Sequence, residues 1–288
     1  MSGCRLARTA GEIGSPGGIF VPTMGGLHEG HASLVRQAVA LRDAEISTGL
    51  PRRAVIVSIF INRTQFNDSA DYNRYPKTLE SDFLNCQSAN ADCVYAPDQD
   101  EIYPPGQAVP VPPLPAAAAG PGLEDALRTG HFAGVCQVVK RLFQMVQPSA
   151  AIFGEKDWQQ LTVISAMTLQ QQLPVEIIPG QTIRESDGLA MSSRNRFLSA
   201  SERTTAPAIF EALTAAAAQR FPAAAEELMR RVLTEAGLEV QYAVVRDAET
   251  LLAVRLNRPA RVLIACKLGS IRLIDNAPWS HSLSTGNA

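Results

Sequence analysis

Hydrophobic positions in the first part of the chain fall into short unbroken runs that alternate with helical spacings. Gly18, Ile19, Phe20, Val21 and Pro22 form an apolar run, stopped by Pro22 and by the turn residues Gly25 and Gly26. Over residues 31–44, Leu34, Val35, Ala38, Val39 and Leu41 recur at the spacing of one helix face. Residues 54–61 are apolar apart from Ser58 and rich in β-branched side chains, the composition of a strand covered on both faces. The pattern then predicts a helix over Leu79–Ser88, a strand at Cys93–Tyr95, a helix over 135–146 and a strand at 151–153. A helix over 161–169 and a strand at 175–178 complete the series. Such alternation implies an α/β fold, a doubly wound parallel sheet with ligands beyond the carboxyl ends of its strands.

Two stretches interrupt this rhythm. Seven of the nineteen prolines lie from Pro104 to Pro121, beside the alanine run at 116–119, which predicts an irregular surface segment with the character of a flap. Residues 43–53 contain Gly49, Leu50, Pro51 and two arginines and predict an extended loop after the first helix. Beyond about residue 183 the texture changes. Residues 199–220 and 222–236 are Ala- and Glu-rich helical patterns, the first opened by a capping box from Ser199 to Glu202. Strand-like runs follow at 240–245, 261–265 and 271–274. Helices followed by strands imply a second, smaller α+β unit, so the expected domains are 1–183 and 184–288.

Composition narrows the function classes. The 288 residues are 46% apolar and 19% charged, and 26 Lys and Arg against 28 Asp and Glu give a net charge of −2. That balance lacks the basic excess expected of a nucleic-acid binder. The longest apolar runs are only strand-length, so no membrane span is expected, and residues 1–18 lack the apolar core of a secretory signal. A cytoplasmic protein is the expectation. Cys4, Cys86, Cys93, Cys136 and Cys266 are odd in number, scattered and without a C-x-x-C pair, which predicts free thiols.

The candidate chemistry clusters at strand-to-helix junctions. Between the first clear strand and helix lies Pro22-Thr23-Met24-Gly25-Gly26-Leu27-His28-Glu29-Gly30-His31. There a doubly wound fold presents backbone N–H groups and a positive helix end to an anion. His28 and His31, three apart, can turn toward one site and donate to phosphate oxygens as charge develops. Their spacing is not His-Glu-x-x-His, which excludes that zinc motif. A second junction carries Gly154, Glu155, Lys156, Asp157 and Gln160. Lys156 is a mobile cation suited to polyphosphate, Asp157 suits a helix cap or a magnesium shell, and Gln160 offers a donor and an acceptor. A third stretch, Met191-Ser192-Ser193-Arg194-Asn195, puts two hydroxyls and a guanidinium in a row. Asn62 and Gln65 follow the strand over 54–61, and Arg128, Gly130 and His131 add a further polar wall.

Together these stretches resemble the pantoate–β-alanine ligase (pantothenate synthetase) family of His-x-Gly-His nucleotidyltransferases. Residues 22–31 look like its signature. Residues 62–66, the block Gly130-His131-Phe132-x-Gly134-Val135, residues 154–160 and residues 191–195 match in the same order, so the resemblance spans about 20–199. It implies a Rossmann-like domain over 1–183 that binds nucleotide and pantoate, and an α+β domain over 184–288 that closes over the site. The implied reaction is attack of the D-pantoate carboxylate on the α-phosphorus of ATP, giving pantoyl adenylate and pyrophosphate. Attack of β-alanine on the acyl adenylate then releases AMP. Residue by residue, the resemblance assigns Met24, Gly25, Gly26, Leu27, His28, Glu29, Gly30 and His31 to the ATP loop, with His31 as proton donor and His28 beside it. Gly154, Glu155, Lys156 and Asp157 are assigned to ATP, with Lys156 on the phosphates and the Ile183 backbone on the nucleotide. Met191, Ser192, Ser193 and Arg194 close over the phosphates. Gln65 and Gln160 hold pantoate, with Asn62 and Arg128 as further candidates. The family also implies Mg²⁺ carried mainly on ATP oxygens, and a homodimer. Arg63 and Thr129 stand where the family usually has proline, and Asp125 near a usual glycine; the 43–53 loop is long and the segment before Phe20 short. These departures flank the site without deleting its chemical groups. The competing expectations are another adenylate-forming His-x-Gly-His enzyme and a non-catalytic ATP-binding relative.

Overall fold

The computed structural model describes residues 3–67, 69–255 and 257–280, and every structural statement below concerns them. The chain divides into two compact units: Met1–Glu155 with Gln160–Gln181, and Lys156–Gln159 with Thr182–Ala288. Membership of Lys156–Gln159 in the second unit is a feature that strand–helix alternation does not encode.

The first unit is built on six strands: β1 (Arg5–Ala7), β2 (Ile19–Thr23), β3 (Val55–Ile59), β4 (Cys93–Tyr95), β5 (Ala150–Gly154) and β6 (Glu176–Gly180). They run parallel in the order β1-β4-β3-β2-β5-β6, so the direction of winding reverses between β2 and β5. Ligands of such sheets bind at that switch point, outside the carboxyl ends of the strands. Ile19, Phe20, Val21, Val55, Ile56 and Val57 are wholly buried, which is why these segments read as continuous apolar runs. Helices α1 (Glu29–Ser47), α2 (Ser69–Arg74), α3 (Leu79–Ser88), α4 (Gln99–Ile102), α5 (Glu124–Leu127) and α6 (His131–Val146) fill the connections before β5. Leu34, Val35 and Ala38 of α1 and Cys86 of α3 pack with Ile19, Val21, Val55 and Val57 on one face of the sheet. On the other face, Phe143 of α6 meets Phe20 and Phe153 edge-on at 6.3 and 6.4 Å between ring centroids. Helix α7 (Trp158–Gln170) begins in the second unit and leads to β6.

The second unit contains helices α8 (Ala200–Thr205), α9 (Ala208–Ala217) and α10 (Pro222–Glu235). They precede the antiparallel sheet of β7 (Glu239–Asp247), β8 (Ala260–Leu268) and β9 (Ile271–Trp279). Ile209, Leu213, Met229 and Leu233 cover the face carrying Ala243, Val245, Val262, Ile264 and Leu273. The α/β sheet with a smaller antiparallel unit is the fold class that the hydrophobic pattern predicts.

Differences from the predicted elements have local causes. The helical pattern at 199–220 splits into α8 and α9 because Pro207 lacks an amide hydrogen to continue the first helix. The Ser199–Glu202 capping box is formed. Helix α1 continues to Ser47, so the expected 43–53 loop is helical in its first part. Helix α6 starts at His131, a turn before the apolar pattern becomes visible. Strand β1 was not predicted, since three residues with Arg5 and Leu6 exposed leave no periodic signal. The proline-rich stretch is irregular apart from a short 3-10 turn at Ala116–Ala118, yet it packs: Pro112, Pro115, Ala117 and Ala118 are buried, and Gln137 donates to the Val109 carbonyl. The five cysteines are unpaired, and burial pushes the Cys86, Cys136 and Cys266 thiols up to about 12, which leaves them protonated near neutral pH.

Candidate active site

The loop after β2 is a closed hydrogen-bonded structure. Gly25 and Gly26 sit at φ of 82° and 63°, a region L side chains rarely adopt. The Gly25 amide donates to Thr23 Oγ1 at 3.2 Å, and the Gly26 and Leu27 amides donate to the two oxygens of Asp82 at 2.9 and 2.8 Å. Asp82 lies on α3, is 1% exposed, and also accepts from Thr78 Oγ1 at 3.1 Å. The Gly26 and Leu27 amides are thus held by the protein's own carboxylate.

The donors of the loop are instead its imidazoles. His28 caps α1, with its Nδ1 accepting from the Gly30 amide at 3.1 Å. The Nδ1 of His31 accepts from the His28 amide at 3.3 Å. A ring nitrogen that accepts carries no proton, so both neutral rings hold theirs on Nε2. The rings lie 4.1 Å apart between centroids. Two Nε2–H donors are thus paired at the N-terminus of a 19-residue helix, where the helix dipole favours negative charge. Glu29, exposed, pairs with Arg36.

Gln65 and Asn62 form the neighbouring wall of the first unit, after β3. Asn62 is 1% exposed and saturated: its Nδ2 donates to Gln65 Oε1 and to the Gly134 carbonyl at 3.2 and 3.1 Å. Its Oδ1 accepts from Thr64 Oγ1 and Tyr103 Oη at 3.1 and 2.9 Å. The amide of Gln65 donates to Met24 Sδ at 2.8 Å, which ties this wall to the histidine loop. His131, buried, donates from Nδ1 to the Gln65 carbonyl at 2.8 Å. A Cβ on Gly134 would come within 2.6 Å of the Thr64 carbonyl, so only glycine lets α6 approach this turn. Arg128 pairs with Glu124 at 3.8 Å, and Gln160 is half-buried at the start of α7. Gly154 ends β5, and Glu155 follows it.

The second unit contains a small cavity of about 20 Å³ lined by Lys156, Ser192, Arg194, Asn195, Arg272 and Asp275 together with apolar side chains. Asp275 is engaged by Arg184 at 2.5 and 3.1 Å, so Lys156, Arg194 and Arg272 give the cavity a positive balance. Ser192 caps the turn Ser193–Phe197 by accepting from the Arg194 amide at 3.2 Å. The Ile183 carbonyl accepts from the Met191 amide at 2.9 Å, which brings this segment back beside itself. Asp157 is exposed. Among the described residues there is no cluster of three or more His, Cys, Asp or Glu able to hold a metal ion, and no helix is long and apolar enough to cross a membrane. Asp82, Arg272, Asp275 and Asn276 were not identified from the sequence. Asp82 lies in an ordinary amphipathic helix, and the other three follow a strand pattern.

A family model for pantoate–β-alanine ligase matches residues 7–278. The chain belongs to the pantoate–β-alanine ligase family. It is 46% identical over 264 residues to a pantothenate synthetase of Thiobacillus denitrificans, covering 89% of each chain. A pantothenate synthetase crystal structure from Thermus thermophilus superposes with a TM-score of 0.84 at 38% identity, covering 95% of this chain and 98% of that one. A pantoate–β-alanine ligase from Francisella tularensis, complexed with β-γ ATP and β-alanine, has a TM-score of 0.76 at 32% identity, with 97% and 99% covered. The order of the five residue blocks thus carried the family correctly.

Proposed function

We propose that the chain condenses D-pantoate with β-alanine at the expense of ATP, through pantoyl adenylate, releasing pyrophosphate and AMP. The observation that carries this reading is the fixed tautomer of the histidine pair, two Nε2–H donors held by backbone amides at a helix N-terminus. A pantoate carboxylate is ionised near neutral pH, so its attack on the α-phosphorus needs no strong base. The step needs alignment and stabilisation of charge on the phosphate oxygens and the departing pyrophosphate. His31, with His28 beside it, donates to those oxygens as charge builds. Lys156 and Arg194 neutralise the phosphates, with Met191, Ser192 and Ser193 completing that wall.

Gln65 holds pantoate through its amide. Its present acceptor, the Met24 thioether, is weak and readily exchanged for a substrate oxygen. Asn62 and His131 orient Gln65, Gln160 contributes a second amide to pantoate, and Arg128 is a further candidate for the substrate carboxylate. In the second step the β-alanine amine attacks the acyl carbon, the bond to the AMP oxygen breaks, and the amine loses a proton. Mg²⁺ bound with ATP would neutralise charge on the phosphates beside Lys156 and Arg194. Cytoplasmic residence and a homodimer belong to the same proposal.

The test is pyrophosphate release from ATP and Mg²⁺ with D-pantoate, followed by AMP and pantothenate detection after β-alanine is added. Each signal is expected to require its own substrate. Pyrophosphate without pantothenate would mean an adenylating enzyme with a different second substrate. Neither signal, with ATP still bound, would mean a non-catalytic relative.

A further inference from the structure

We propose that Asn276 is a positioning residue that fixes the Lys156 backbone so that its ammonium meets the ATP phosphates, an inference that rests on Lys156 acting on those phosphates. On β9, Leu273 and its odd-numbered neighbours face α9 and α10, so Arg272, Ile274 and Asn276 lie on the opposite face of the small sheet. Asn276 is 3% exposed. Its Nδ2 donates to the Lys156 carbonyl at 2.8 Å, and its Oδ1 accepts from Arg261 Nε. The Arg261 guanidinium lies 3.5 Å from the centroid of the Trp158 ring, and the Trp158 indole donates to the Ala248 carbonyl at 2.9 Å. The backbone on one side of Asp157 and the ring on the other are therefore both pinned to the same sheet. Asp275, the preceding residue, grips Arg184, whose Nη1 also donates to the Gly188 carbonyl and whose backbone bridges Ala190 just before Met191. Two adjacent residues of β9 thus register the two segments, at Lys156 and at Arg194, that bring cations to the cavity beside β9's own Arg272.

A buried amide reaching a turn carbonyl is a costly way merely to cover a sheet face, which apolar side chains do without desolvating polar groups. What the amide adds is direction. A lysine stem has four rotatable carbons, and the ammonium can settle repeatedly on one phosphate only if its backbone is fixed.

The test is a double-mutant cycle of ATP affinity, read by calorimetry in Mg²⁺, with Asn276→Asp, Lys156→Ala and the pair. Asn276→Asp keeps the shape and the acceptor for Arg261 but loses the donor to the Lys156 carbonyl. It is expected to weaken ATP binding about 10-fold in the otherwise unchanged chain and less than about threefold in the Lys156→Ala background, since its effect passes through Lys156. Pantoate affinity is expected to stay within about twofold, because its binding groups belong to the other unit. If Asn276→Asp does not fold, Asn276→Ala, which removes both bonds without adding charge, replaces it. Equal loss in both backgrounds, or no loss in either, would overturn the proposal. Pantoate-dependent pyrophosphate release is measured alongside: its absence with the coupling intact would overturn the ligase reading and leave the role of Asn276 standing. Failure of the unsubstituted protein to bind ATP would overturn both.

Discussion

In the first unit the imidazole pair is fixed by groups near it in sequence and by one carboxylate from α3. In the second unit the cations of the cavity come from three distant segments, at Lys156, Arg194 and Arg272, registered by a polar network on β9. The first arrangement freezes dipoles, whose value is greatest where charge develops in a transition state. The second brings long flexible cations to one place, which suits attraction of an already charged polyphosphate. On the proposed function, mainly rate falls to the histidine loop and mainly ATP affinity to the cavity.

The largest effect should come from His31. His31→Ala is expected to slow single-turnover pyrophosphate release about 100- to 1,000-fold, the cost of one transition-state donor, with ATP affinity nearly unchanged. A loss confined to affinity would reverse the division of labour between the two units.

Asp82 sharpens the same comparison. Asp82→Ala strands the buried Gly26 amide and the partly buried Leu27 amide, and a stability loss of about 2–4 kcal/mol is expected in urea unfolding. Displacement of the loop should also slow adenylation by about 10-fold or more. Normal stability with normal turnover would show that the loop holds its shape without the carboxylate.

The smallest effect concerns acid. Burial works to raise the Asp247 carboxyl, but the Thr250 amide and hydroxyl, the Glu249 amide and Arg258 more than offset it and hold it below the ordinary carboxylate range. In the first unit burial likewise works against Asp92, and the Val55 amide, Arg52 and Arg42 outweigh it. A carboxyl lowered by folding stabilises above its unfolded value, and that contribution is lost as pH falls through its folded value. Both tryptophans, Trp158 and Trp279, belong to the second unit. Tryptophan fluorescence during unfolding should therefore show that Asp247→Asn flattens the acid limb of that unit below about pH 4. An unchanged limb would mean that Asp247 contributes no pH-dependent stability there.

Legibility in the sequence followed the same division. The strands around Ile19–Thr23 and Val55–Ile59 were readable because a strand buried on both faces must be apolar throughout. The histidine loop was readable because its glycines, imidazoles and helix start are contiguous. What escaped was the identity of each hydrogen-bond partner. Nothing in an amphipathic helix marks Asp82 as the acceptor for two amides 55 and 56 residues away. Asn276 and Lys156 are separated by 120 residues, and their contact depends on strand register and on the path of the chain after β5. The Pro207 break was visible as a residue but was outweighed by the alanine-rich pattern around it.

The most direct test of the central claim follows the pantoate oxygens. With D-pantoate labelled by ¹⁸O in its carboxylate, attack on the α-phosphorus carries one labelled oxygen into AMP once β-alanine completes the reaction. The account predicts that label in the phosphate of AMP and none in pyrophosphate. Label in inorganic phosphate with ADP as the other product, or AMP free of label, would contradict it.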